Sequence, residues 1–311
     1  MPELVELARG LAPLKTAVAH PCDAPSLAAA IEARNAGLIE PVLVGPEHRI
    51  RSIADREKLD LAGIAIEHAP HSHAAAARAV ALARQGGFDA IMKGSLHTDE
   101  LMAEVLDRDL GLRTGRRVSH VYVMRVPGYP RLLLVTDAAI NIHPTLDDKA
   151  DIVRNAIDLA EAIGISRPNV AILSAVETVT SKLQSTIDAA ALCKMADRGQ
   201  ITGAVLDGPL AFDNAVSLTA AEVKGIESPV AGRADVLVAP DLEAGNILAK
   251  QLEYFAGAEA AGIVVGARIP IILTSRSDSV ATRVRSCAVA VLHAKAQQER
   301  ARWPKDAPRF S

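Results

Sequence analysis

An apolar run, Pro270-Ile271-Ile272-Leu273, leads directly into Thr274-Ser275-Arg276-Ser277-Asp278-Ser279. Hydroxyls, a guanidinium and the free N–H groups of a helix start make a corner suited to phosphate, because Arg offers paired donors and a helix N-terminus attracts anions. An acyl phosphate or a departing phosphate dianion uses all of these donors, since charge gathers on its oxygens as the neighbouring carbonyl is attacked. Arg276 is the first choice of anion ligand. The plainer readings are a surface ion pair between Arg276 and Asp278, and a simple helix cap at Ser275.

Four more polar clusters follow apolar runs. Lys93-Gly94-Ser95-Leu96-His97-Thr98 comes after Phe88-Asp89-Ala90-Ile91-Met92, so Lys93 emerges at a strand end where Gly94 lets a ligand approach the backbone. The others are Asp137-Ala138-Ala139-Ile140-Asn141, the stretch from Asp207 to Asn214, and the stretch from Pro240 through Asp241 to Asn246. Each alone is ordinary turn or cap chemistry. Together they mark the carboxyl edge of an open parallel sheet, the usual binding crevice of such folds. Lys93, Gly94, Asp137, Asn141, Asp207, Asn214, Asp241 and Asn246 are therefore candidate substrate-binding residues, with Glu243 and Lys250 near the same crevice.

Other chemistries lack their residues. No GxxxxGK[ST] is present, and Gly86-Gly87 precedes its strand instead of following it, which argues against ATP and NAD. No serine sits in GxSxG. His68, His71 and His73 have no acidic partner at ligand spacing and read as solvated or structural, so no metal is expected. The three cysteines, Cys22, Cys193 and Cys287, are far apart, which indicates neither disulfides nor zinc, and Cys193 reads as a core residue.

The elements that position these residues alternate between short apolar runs and Ala-rich helical stretches, the pattern of an α/β protein with mainly parallel strands. Strands are expected at Thr16–Ala19, Pro41–Val44, Ala90–Met92, Val118–Met124, Arg131–Val135, Val170–Ser174, Gly203–Leu206, Val236–Ala239, Ile263–Val265 and Ile271–Thr274. Thr145 with Asp148 forms a capping box for a helix that ends before Gly164; a second helix over Lys182–Arg198 stops at Gly199, and Thr219-Ala220-Ala221-Glu222 opens a third. The residues from Gln297 onward look like a fraying polar tail.

With 311 residues, half of them apolar, the chain can bury a large core and has room for two domains. Aromatics at 3% and a net charge of −3 argue against nucleic acid, and no stretch is apolar enough to span a membrane, so a cytoplasmic location is expected.

Four segments carry a resemblance: Asp207-Gly208-Pro209-Leu210-Ala211-Phe212-Asp213-Asn214-Ala215, Ala231-Gly232-Arg233-Ala234-Asp235-Val236-Leu237-Val238, Pro240-Asp241-Leu242-Glu243-Ala244-Gly245-Asn246-Ile247-Leu248, and Pro270 to Arg276. With Lys93-Gly94 and Thr136–Asn141 in the same order, they resemble the phosphate acetyl/butyryltransferases over nearly the whole chain. The resemblance implies a two-domain, three-layer α/β/α fold of the isocitrate/isopropylmalate dehydrogenase-like type. The first domain would span residues 1–143 plus 277–311 and the second 144–276, with the active site in the cleft between them, in a homodimer. The implied reaction is acyl-CoA plus phosphate giving acyl phosphate plus CoA. CoA is a co-substrate, no cofactor is tightly bound, and no acyl group is carried on the protein.

Ser275 would then hydrogen-bond the tetrahedral centre and Arg276 would hold phosphate. The acetyltransferase branch places an aspartate seven residues after this serine to take the thiol proton; here that residue is Thr282. Asp278 is left to serve as base or to orient Arg276. Acetyl is the first choice of acyl group and butyryl the alternative. A catalytically weakened acyl-CoA or acyl phosphate-binding relative, or a decarboxylating dehydrogenase on the same fold, are the competing readings.

Overall fold

The computed structural model describes residues 1–302. Eleven strands form one sheet: β1 (Leu14–Ala19), β2 (Ile39–Gly45), β3 (Ala65–His68), β4 (Ala90–Lys93), β5 (Ser119–Arg125), β6 (Leu132–Thr136), β7 (Asn169–Leu173), β8 (Val205–Leu210), β9 (Val236–Val238), β10 (Glu259–Val265) and β11 (Ile271–Ile272). The helices are α1 (Pro2–Arg9), α2 (Ala24–Asn35), α3 (Glu47–Glu57), α4 (Ser72–Arg84), α5 (Thr98–Val105), α6 (Leu146–Ala162), α7 (Gln184–Asp197), α8 (Phe212–Val216), α9 (Leu218–Val223), α10 (Leu242–Tyr254) and α11 (Val280–Arg302).

The strand order is β3-β2-β1-β4-β11-β10-β5-β6-β9-β7-β8. Its two wings are parallel, as their short apolar strands require, but the centre is not: β11 with β10, β10 with β5, and β5 with β6 all pair antiparallel. Three reversals make the two wings run in opposite directions. The carboxyl ends of β1, β4 and β11 therefore lie at one edge of the sheet, and those of β6, β7, β8 and β9 at the other.

Alternate residues of each strand feed opposite faces. On the first face, Ala90 and Met92 of β4 and Val121 and Val123 of β5 join one continuous core with α1, α2, α3, α6 and α11. On the second face the core is divided. Ile91 of β4 packs with α4 and α5, whereas Tyr122 and Met124 of β5 pack with α8, α9 and α10. A seam thus runs along the middle of the second face only.

Local chemistry explains most boundaries. Thr145 and Asp148 form the expected capping box on α6, and Gly164 follows that helix at φ 99. Gly199, at φ 72, follows α7. Four expectations are corrected. The cap of α9 is Ser217, whose hydroxyl accepts from the Ala220 N–H, and not Thr219. Strand β8 continues through Asp207 to Leu210, so Asp207 lies within a strand and not in the loop after it. Strand β3 was not expected because Ala65-Ile66-Glu67-His68 is half polar, as befits a strand at the sheet edge. Gln297 to Arg300 belong to α11, and Arg300 pairs with Asp158 of α6; the rest of the expected tail, from residue 303, lies outside the described residues. No described helix is long and apolar enough to cross a membrane.

Candidate active site

The corner after β11 is built by backbone bonds of its own. The Ser275 N–H donates to Oδ2 of Asp278 at 2.7 Å, and the Asp278 N–H donates back to the Ser275 carbonyl at 3.2 Å. Ser279, not Ser275, caps α11: its hydroxyl accepts from the Thr282 N–H at 3.1 Å. The Ser275 hydroxyl meets only Ser277 among the described residues, its hydroxyl at 3.0 Å and its N–H at 3.4 Å, and is half-buried at the corner. From beneath, the fully buried Arg283 of α11 donates to the carbonyls of Ser275 at 2.9 Å and Asp278 at 3.4 Å. Arg283 thus fixes the turn, a role sequence reasoning missed. Its signal was a polar stripe, Ser279, Thr282, Arg283 and Ser286, on an otherwise apolar helix start.

Arg276 is exposed and does not pair with Asp278. Its Nη2 donates to Nδ1 of His97, at the start of α5, at 3.0 Å. Asp278 does not orient Arg276: one oxygen anchors Ser275, and the other accepts no hydrogen bond and lies 3.7 Å from Nζ of Lys250. Thr282 is buried and tied to Ser279, so its hydroxyl offers no base.

Lys93 ends β4 beside this corner, buried, with one long bond to the Thr274 carbonyl at 3.5 Å and no carboxylate partner. Burial, reinforced by the fields of Arg283 and Arg276 and opposed by Asp23 and Asp278, pushes its ammonium down to about 8. The Thr274 hydroxyl and Nη1 of Arg283 are buried without any partner among the described residues. Cationic and hydroxylic donors are thus in surplus here, which costs stability until an acceptor arrives. Because Lys93 is protonated only below about 8, binding of an anion at this corner is expected to weaken as pH rises through that value. Calorimetric titration with inorganic phosphate over roughly pH 7 to 10 checks this, the fall being expected in the wild type and not in Lys93→Met.

Gly94 has a backbone reason for being glycine. A Cβ there would strike the carbonyls of Ala19 and His20, at the end of β1. The neighbouring Ser95 hydroxyl is held by His20, through its carbonyl at 2.9 Å and its ring Nδ1 at 3.0 Å.

The remaining candidates collect at the opposite edge, because the wings run oppositely. Asp137 is consumed by its own turn, accepting from the N–H groups of Ala139, Ile140 and Asn141. Asn141 donates to the Val118 carbonyl and accepts from Arg117. Asp241 caps α10, Asn246 donates to the Ala138 carbonyl, and Asp207 accepts from the next N–H. Asn214 donates to Glu177, and its Oδ1, buried, has no partner. No hydrogen bond or ion pair among the described residues joins these side chains to Ser275 or Arg276.

Two elements connect the groups. Helix α10 starts at Asp241 and carries Lys250 to Asp278. Lys250 is held above its usual range: burial opposes this, and the fields of Tyr122, Asp278 and Glu253 prevail. His120 of β5, fully buried, lies in the field of both Asp137 and Asp278, donates through Nε2 to the Leu273 carbonyl at 3.3 Å, and is pushed down by burial. No cysteine is poised for covalent chemistry, since burial raises Cys22 to about 11 and Cys193 and Cys287 to about 12. His71 caps α4, and His73 faces Glu100 at 3.9 Å. A cavity of about 330 Å³ beside Arg116, Asp158 and His293, and another of about 500 Å³ beside Arg125, Arg131 and Arg167, lie away from the corner.

The family model "Phosphate acetyl/butaryl transferase" matches residues 68–291, spanning β4, the Thr274–Asp278 corner and α10. The chain belongs to the phosphate acetyl/butyryltransferase family. It is 64% identical to the phosphate acetyltransferase of Rhizobium meliloti over 291 residues, covering 94% of this chain and 92% of that protein. It is 44% identical to the phosphate butyryltransferase of Clostridium beijerinckii over 290 residues, 93% of this chain and 96% of that protein. Among solved structures, a branched-chain phosphotransacylase from Enterococcus faecalis matches with a TM-score of 0.78 at 29% identity, covering 90% of this chain and 99% of that one. A 4-hydroxythreonine-4-phosphate dehydrogenase from Klebsiella pneumoniae, at TM-score 0.53 and 14% identity over 90% of this chain and 99% of that one, shares the fold alone. The family fold is thus the expected three-layer, dehydrogenase-like α/β/α architecture.

Proposed function

We propose that this chain is a phosphate acetyltransferase, converting acetyl-CoA and phosphate to acetyl phosphate and CoA. The observation that carries this reading is the donor surplus at the end of β11: Arg276, Lys93, Thr274 and Arg283 converge on one corner, two of them with buried atoms that have no partner. A phosphate dianion supplies the missing acceptors. In this reading Arg276 turns from His97 to hold phosphate, assisted by Lys93. Ser275, held by Asp278 and Arg283, donates its hydroxyl to the oxyanion that forms when a phosphate oxygen attacks the thioester carbonyl. Gly94 lets the end of β4 pack against β1 beside this corner, and Asp137, Asn141, Asp207, Asn214, Asp241 and Asn246 support the loops at the opposite edge, where the rest of the substrate would lie.

We assign residues 1–143 plus 277–311 and residues 144–276 as the two domains, although β10 and β11, within the second span, pair with β5 and β4 of the first. CoA is a diffusing co-substrate, and the enzyme works in the cytoplasm as a homodimer. Association is supported by Ile247 and Tyr254, seven residues apart on one side of α10 and 57% and 64% exposed; sedimentation equilibrium checks it.

The deciding assay measures phosphate-dependent release of CoA thiol from acetyl-, propionyl- and butyryl-CoA with chelator present. Acetyl-CoA is expected to give the highest kcat/KM. Preference for butyryl-CoA would place the chain with the butyryltransferases, since each buried CH₂ contributes only ~0.8 kcal/mol and pocket shape decides. Binding of acyl-CoA with no turnover in either direction would overturn the enzymatic reading.

A further inference from the structure

We propose that His97 takes the thiol proton of CoA when acyl phosphate is the acyl donor, and that it becomes available when Arg276 leaves its ring for the phosphoryl group. This rests on the acyltransferase reading and goes beyond it, because Thr282 carries no base and Asp278 is buried with its open oxygen facing Lys250.

A guanidinium only donates hydrogen bonds, so the contact of 3.0 Å between Nη2 of Arg276 and Nδ1 of His97 fixes the neutral ring as the tautomer with hydrogen on Nε2 and a lone pair on Nδ1. His97 stands at the N-cap position of α5 but makes no capping bond, and among the described residues Arg276 is the ring's one hydrogen-bond partner. The imidazole is exposed, unlike Asp278, which is 4% exposed and committed to Ser275 and Lys250. Arg276 contacts the His97 ring, Asp99 and Glu100 follow on its own helix, His73 of α4 faces Glu100, and Lys93 at the end of β4 lies in the field of Arg276.

With phosphate or acyl phosphate seated, Arg276 exchanges its imidazole acceptor for a phosphoryl oxygen. Nδ1 is then an unoccupied base next to the acyl carbon's surroundings. As the CoA sulfur attacks the acyl carbon, the S–H bond breaks, its proton passes to Nδ1, and a C–S bond forms. The C–O bond to phosphate breaks with its electron pair on the phosphate oxygen, and the imidazolium returns the proton to that phosphate or to water. In the opposite direction the imidazolium protonates the departing thiolate. Free Arg276 and a free base are produced by one event, so the base is exposed only when the acyl donor is bound.

The test is the pH profile of kcat for acetyl phosphate plus CoA in the wild type, His97→Asn and His97→Ala. Asn keeps an oxygen near the Nδ1 position for Arg276 but cannot carry a proton. His97→Asn is expected to lose about tenfold in kcat near neutral pH, to leave KM for acetyl phosphate unchanged, and to recover as pH rises toward the range where the CoA thiol ionises unaided. His97→Ala is expected to raise that KM as well. A deficit independent of pH, or no deficit in His97→Asn, overturns the base role even where the wild type turns over. An inactive wild type overturns the acyltransferase reading and this inference with it.

Discussion

Arg276→Ala will lower kcat/KM for phosphate by about 10²- to 10³-fold with acetyl-CoA as donor, while leaving the melting transition in place. The guanidinium is exposed and contributes one bond, to His97, so its removal opens no cavity and strands no buried charge. What is lost in the proposed reading is a forked donor for the phosphoryl oxygens, an interaction worth about 3–4 kcal/mol where it is preorganised for the charge that builds on them. Arg276→Lys should recover part of the rate, since it restores charge without the planar fork. Steady-state kinetics alongside thermal melts decide the matter. A loss below about tenfold would place the phosphate away from this corner.

Lys149→Met will give the largest loss of stability, about 3–5 kcal/mol, because it leaves a carboxylate buried and unpaired. Nζ of Lys149 in α6 donates to Asp188 of α7 at 2.7 Å, and both side chains are 7% exposed. Asp188 would keep only the Gln184 amide, at 2.8 Å. The pair itself is not the source of that energy; desolvation of two ions consumes most of their attraction. Asp188→Leu added to Lys149→Met should therefore restore much of the loss. Urea unfolding of the single and double variants, compared at constant slope, separates the two accounts.

The chemistry of the site was legible where it is local. A strand ending in Thr274-Ser275-Arg276 announces donors at a sheet edge whatever surrounds it, and Thr145 with Asp148 announces a helix start. The direction of the strands was not legible. Whether β5 runs with or against β10 depends on a pairing between residues 119–125 and 259–265, far apart in sequence, and no period of apolar residues records it. Assuming a single parallel edge gathered Asp137, Asp207 and Asp241 with Ser275, and the three central reversals send them to the other side. The packing demand on Gly94 was hidden for a related reason: the atoms it accommodates are the carbonyls of Ala19 and His20, brought there by β1. His97 stood within a recognised cluster, yet its partner Arg276 lies 179 residues away.

The unequal cores on the two faces also determine how the molecule can move. One uninterrupted layer of side chains backs the first face, from α2 through α11 to α6, while the second is parted between α5 and α10. A body bonded along one side and slit along the other flexes like a bound book: the spine stays at α11, and only the pages at the slit separate. Arg283 sits on that spine at the turn of Ser275 and Asp278, so opening the slit spreads the Lys250 side away from a corner that itself stays fixed. The distance from Lys250 to Asp278 is the one such an opening would lengthen.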